Sequence, residues 1–159
     1  MTRTAAGALP PRALRELRRG LPAVLVTVGT DGWGHAVMTW AAAPGPELIR
    51  FGVDAATHTL ANLRRTHRAA LQIAGPDNLL LLVKGRARPV RERIRAAPFA
   101  MALWELAVGE VKDQTFPGVV VAPLAYRWVG RGAAAMRRME RAVYRELAAG
   151  GTPAARRSR

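Results

Sequence analysis

Phe51-Gly-Val-Asp-Ala-Ala-Thr-His-Thr-Leu-Ala-Asn-Leu-Arg-Arg-Thr-His-Arg-Ala-Ala-Leu71 contains a change of hydrophobic period. An apolar strand ends at Val53 and a second strand occupies Ala69–Ala74. The residues between them read as a helix over Thr57–Thr66, because Leu60 and Leu63 are three apart and share one face. Thr57 is the expected N-cap, its hydroxyl accepting from a free amide of the first turn. A helix N-terminus carries unpaired N–H groups and partial positive charge. Thr57, His58 and Thr59 add side-chain donors at that place. The segment therefore reads either as a seat for a phosphate or as an ordinary capped helix with solvated neighbours.

Short strand signals surround this unit. Ala23–Thr30 is rich in Val and Leu, Asp31-Gly32 marks a turn, and Gly34–Trp40 resumes as a strand. Pro44-Gly45-Pro46 is a second turn before Glu47–Val53. A third turn at Gly75–Asn78 precedes a long strand from Leu79, on which Lys84, Arg86 and Arg88 share a face by two-residue alternation. That face reads as a solvated strand face. Arg91, Arg93 and Arg95 follow in the opposite parity, so a bulge or bend is expected at Pro89. Phe99–Lys112 and Pro123–Val129 complete the strand set. Hairpin connections imply antiparallel neighbours. The expected fold is mainly β, an α+β chain built on a small antiparallel barrel of six to seven strands. Helices flank it at Pro10–Arg19 and at Ala133–Ala148, the latter with an apolar stripe of Met136, Met139 (or Glu140), Val143 and Leu147. The expected division is an N-terminal helix and arm over 1–20, a barrel over 21–130, a C-terminal helix over 131–150 and a disordered tail over 151–159.

Composition narrows the function classes. The 159 residues are half hydrophobic and include no cysteine, which removes disulfides, thiolate metal sites and cysteine nucleophiles. No apolar run is long enough for a membrane helix. The Arg-bearing first twenty residues hold no apolar segment of the secretory kind, so a soluble cytoplasmic protein is expected. The net charge of +14 is concentrated at the ends. Residues 1–20 contribute +4, residues 127–159 contribute +7, and the long middle only +3. Proteins that read a duplex usually carry the basic stripe on the folded body. Nucleic acid is therefore not read as the main partner, although basic ends attract polyanions at low salt.

Motif chemistry is sparse. His35, His58 and His67 have no metal-ligand spacing, and no metal site is expected. Neither a GxGxxG fingerprint nor a P-loop is present. The only serine is Ser158, and no GxSxG elbow exists, which excludes a serine hydrolase. Scarce acidic pairs argue against glycosidase chemistry. No general acid or base stands out.

The order of these elements resembles the FMN-binding split-barrel family related to pyridoxamine 5'-phosphate oxidase. The resemblance covers roughly residues 15–130. It rests on the stretch Phe51–Leu71, on the strand-turn-strand around Thr30-Asp31-Gly32 and on Val83-Lys84-Gly85-Arg86-Ala87. It implies FMN as cofactor, with Thr57, His58 and Thr59 where the family holds the phosphate. Met38, Thr39 and Trp40 would lie on the strand flanking the isoalloxazine and ribityl chain, and Gly52 and Val53 on a further cofactor-lining strand. Asn62, in the Asn-Leu-Arg-Arg ending of the helix, joins this cofactor-binding set. His58 and Thr59 replace the usual Arg and Lys, trading a charged fork for weaker donors, unless Arg64, Arg65 or an arginine of a second chain compensates. Trp40 stands at a usually basic position, where its indole would pack on a flavin or in the barrel core. The resemblance further implies a homodimer with the flavin between subunits, in which Lys84, Arg86 and Arg88 would line a partner's site, and oxidoreductase chemistry on a small molecule. The oxidase's C-terminal Arg and His pattern has no counterpart in residues 130–159, which argues against vitamin B6 oxidation. The alternatives are a barrel using a deazaflavin or haem, and a cofactor-free binding or stress-response module.

Overall fold

The computed structural model describes residues 3–150; the expected disordered tail lies outside them. The chain forms β1 (Arg3–Ala6), α1 (Pro11–Arg19), β2 (Leu21–Val28), β3 (Gly34–Gly45), β4 (Leu48–Asp54), α2 (His58–Thr66), β5 (Arg68–Gly75), β6 (Leu79–Arg91), β7 (Met101–Asp113) and α3 (Ala133–Ala148). Every strand pairing is antiparallel. The sheet order is β1-β7-β4-β3-β2-β5-β6, and β6 also pairs with β7, which closes six strands into a barrel. The fold is thus the small split barrel with flanking and C-terminal helices.

Two strand expectations change. Pro123–Val129 is not a strand. The pairing of β6 with β7 leaves no barrel edge for it, and this stretch touches β5 through one backbone bond, Leu124 N–H to the Ala74 carbonyl at 2.9 Å. Arg3–Ala6, expected as an arm, is a strand instead. It pairs with β7 over Glu110–Asp113, beyond the stretch of β7 (Met101–Ala107) that β4 occupies. The bend expected at Pro89 is present as a register shift between Pro89 and Arg91.

Alternation along the strands sorts two cores. Leu25, Phe51, Leu71, Leu81 and Val83 fill the barrel interior, joined by Leu17 of α1 and Leu63 of α2. A second cluster lies between the barrel wall and α3, where Val143 and Leu147 are fully buried against Trp40, Ile94 and Leu103. Val143 and Leu147 of the stripe read from the sequence are therefore the docking face of α3, with Met139 at its edge and Met136 outside the cluster. A buried Arg50 on β4 donates to the Ala149 carbonyl at 2.8 Å and so satisfies the end of that helix.

Strands β3 and β4 pair only over Ala41–Gly45 and Leu48–Phe51. Beyond that point β3 follows β2 and β4 follows β7. The wedge between them is the split, and α2 begins at its mouth.

Candidate functional site

Positioning of α2 follows from local chemistry. After β4 the chain turns at Ala56, whose φ of 55° is left-handed, and enters the helix at Thr57. The Thr57 hydroxyl donates to the Asp54 carbonyl at 2.8 Å and accepts from Leu60 N–H at 3.3 Å. Both capacities of that hydroxyl serve the turn and cap. The amides of His58 and Thr59 precede the first intrahelical bond and remain as donors at the helix end.

A cavity of about 370 Å³ occupies the split. Its walls come from β3 (His35, Val37, Met38, Thr39), β4 (Gly52, Val53, Asp54) and the start of α2 (Thr57, His58, Thr59). Leu25 and Met101 form its inner end. The Thr39 hydroxyl donates to the Gly52 carbonyl at 2.6 Å and ties the diverging strands. The His35 and His58 rings meet edge-on, centroids 6.1 Å apart.

Thr59 differs from its neighbours. It is 3% exposed, and among the described residues its buried Oγ1 has no hydrogen-bond partner. An orphaned buried hydroxyl is costly in a folded protein and marks a place where an acceptor is wanted. It stands at the cavity wall, at a helix N-terminus. Hydroxyl, free amides and positive helix end together suit a phosphate or another anion. Among the described residues, no Arg or Lys lines this cavity. Arg64 lies on the adjoining outer surface with Thr57 and His58, whereas Arg65 is turned away and donates to the Val28 carbonyl.

Seven of the nine residues expected at a cofactor site therefore line one cavity: Met38, Thr39, Gly52, Val53, Thr57, His58 and Thr59. Trp40 and Asn62 do not. Trp40 is packed in the cluster under α3, its Nε1 donating to the Tyr126 hydroxyl. The indole is thus neither at the cavity nor in the barrel core, but in the second cluster between the barrel wall and α3. Asn62 is buried and donates to the Thr27 hydroxyl at 3.1 Å. Gly52 has its own structural reason for being small, since a Cβ there would run into the Met101 sulfur. His35, Val37, Asp54 and Met101 were not in the cofactor-binding set expected from the sequence. Two-residue alternation carried the signal for the first two, which share the Thr39 face of β3; Met101 comes from a distant strand.

Among known proteins, the pattern of the family described as pyridoxamine 5'-phosphate oxidase matches residues 10–130. No curated protein matches the chain. Solved structures do. A candidate pyridoxamine 5'-phosphate oxidase from Lactobacillus delbrueckii superposes with a TM-score of 0.55 at 18% identity, covering 66% of this chain and 93% of its own. An F420 reductase gives 0.54 at 19% identity, covering 63% of this chain and 95% of its own. An FMN-binding protein from Syntrophomonas wolfei gives 0.50 at 15% identity, covering 66% and 89%. At such identities the likeness is one of fold. The match over residues 10–130, on a chain that folds as the split barrel, places this protein in the pyridoxamine 5'-phosphate oxidase family.

Proposed function

We propose that the protein is an FMN-binding flavoprotein, an oxidoreductase acting on a small molecule other than pyridoxamine phosphate. The observation that carries this reading is the unpartnered Thr59 hydroxyl at the start of α2, inside the cavity of the split. The residues present fit the group. Thr59 Oγ1 and the amides of His58 and Thr59 would hold the phosphate, Thr57 would keep the helix end in place, and Met38, Thr39, Gly52 and Val53 would line the remainder. When bound, FMN supplies the redox chemistry; the chain supplies binding, orientation and electrostatics.

A homodimer accompanies this reading. Ala23 and Leu25 point into the barrel, so alternation turns Val24, Val26 and Val28 outward on β2. Register sets Val24 beside Met38 and Gln72, and Val26 beside Ala36 and Ala70. This apolar outer strip next to the split, with Met38 56% exposed, supports a second copy covering it.

The test is the visible spectrum of the purified protein after incubation with FMN and desalting, followed by titration of a His58→Ala/Thr59→Val variant. Retained flavin and at least tenfold weaker binding by the variant are expected. A hydrogen bond to a charged group is worth roughly 1.5–3 kcal/mol. Failure of the wild-type protein to retain FMN overturns the reading. A deazaflavin and haem are then tried in turn, and a protein that retains none of the three is a cofactor-free module.

A further inference from the structure

A groove of about 890 Å³ is separate from the cavity in the split and shares none of its lining residues. It lies outside the barrel, at the other end of α2. Arg65, Arg68, Lys84 and Arg86 border it, and Val26, Ala69 and Ala70 are among its apolar lining. Among the described residues, Glu110 is its one acid, 3.6 Å from the Lys84 ammonium.

Strand register makes this charge cluster more than a solvated edge. Arg68 and Arg86 are direct cross-strand partners on β5 and β6, and Lys84 is paired with Ala70 one step along the same face. Both arginines are exposed, and among the described residues neither forms an ion pair. Like charges directly opposite one another destabilise a sheet. Arg88, the next residue of the same parity, is drawn off to Glu105 at 2.5 Å, so strand chemistry alone does not require free cations here. Two arginines paired across neighbouring strands beside an apolar floor are a donor set for a phosphate carried on a small organic body.

We infer that this groove is a second anion site, which takes a small phosphorylated molecule, with Arg68 and Arg86 as the paired donors and Lys84 and Arg65 flanking them. The site goes beyond the flavin reading; its floor residues Val26 and Ala70 are shared with the outer strip proposed above for a second copy, so in a dimer the groove lies against the subunit contact.

Inorganic pyrophosphate is the probe, titrated calorimetrically into the full chain near physiological salt, where diffuse attraction to a basic protein is largely screened. One site per chain is expected. Arg68→Gln/Arg86→Gln should weaken it at least tenfold. Arg137→Gln/Arg138→Gln, which removes the same charge from exposed positions on α3, should leave it within twofold. Without the anion and at low salt, Arg68→Gln/Arg86→Gln should melt higher than the wild type, because the opposed charges are gone. This increase also shows that the variant folds. Equal weakening in both double variants would reduce the effect to net charge and overturn the site. Loss of binding in His58→Ala/Thr59→Val, with Arg68→Gln/Arg86→Gln unaffected, would move the anion to the split and overturn it too. A change of oligomeric state in Arg68→Gln/Arg86→Gln with no saturable binding in the wild type would assign the cations to a subunit contact instead.

Discussion

Glu105 shows how one side chain can fix several strands. It sits on β7, fully buried, with Arg50 of β4 and Arg88 of β6 as its register partners on either side. Arg50 Nε donates to one carboxylate oxygen at 3.3 Å and Arg88 Nε to the other at 2.5 Å. Removing the acid leaves the Arg50 charge buried without its carboxylate, a loss that typically costs 3–5 kcal/mol. Glu105→Ala should therefore lower unfolding stability by about 3 kcal/mol in denaturant titration, with the slope unchanged. A loss below about 1 kcal/mol would mean that water reaches Arg50 and replaces the pair. The same accounting separates Thr57 from Thr59: one hydroxyl is consumed by the fold, and the other is buried and unused.

The C-terminal helix is held by two acids as much as by its apolar face. Glu146 accepts from Arg91 at 2.7 Å and from the amides of Arg95 and Ala96 at 2.9 and 2.8 Å. Glu140 accepts from Trp128 Nε1 at 2.9 Å and from the Tyr126 hydroxyl, which in turn accepts from Trp40. Burial, and then the hydrogen bond and charge of Glu140, push the Tyr126 phenol well above its usual 10.0. Burial, then the Tyr126 and Glu140 charges, do the same to Tyr144. Both raised values favour the neutral phenol in the folded state. Their contribution is complete below pH 10.0 and is lost as pH rises beyond it, where the unfolded chain ionises first. Melting temperature should fall steeply above about pH 10. Tyr126→Phe should start lower, having lost two hydrogen bonds, and fall less steeply. Parallel pH profiles for the two proteins would show that Tyr126 does not titrate with unfolding.

For the whole molecule, the consequential surface is the outer strip of β2 and its neighbours. If a second copy covers it, Val24→Glu should convert the dimer to a monomer in light scattering while far-ultraviolet circular dichroism is unchanged. A charge introduced into an apolar interface has no partner there. A wild-type protein that is already a monomer at tens of micromolar would remove the dimer from the proposal. No described helix is long and apolar enough to cross a membrane.

Local chemistry was enough to read the strand-helix-strand unit at Phe51–Leu71, the Thr57 cap, the hairpin turns and the α3 stripe from the residues. Each depends on neighbours three to five positions away or on a period of two or 3.6. That also made much of the cavity wall legible, because β4, the turn and α2 are contiguous in the chain. The closure of the barrel was not legible. Pro123–Val129 looks like a strand, and it lacks strand pairing because β6 and β7, separated in sequence by the Glu92–Ala100 segment, have already paired. Arg3–Ala6 becomes a strand only because β7 outruns β4. Trp40 was ambiguous from its neighbours, and the docking of α3 about a hundred residues later resolved it. Arg68 and Arg86 lie eighteen positions apart and acquire meaning only through the β5–β6 register. Long-range pairing sets which faces meet, and a period read along one segment has no information about the segment opposite it.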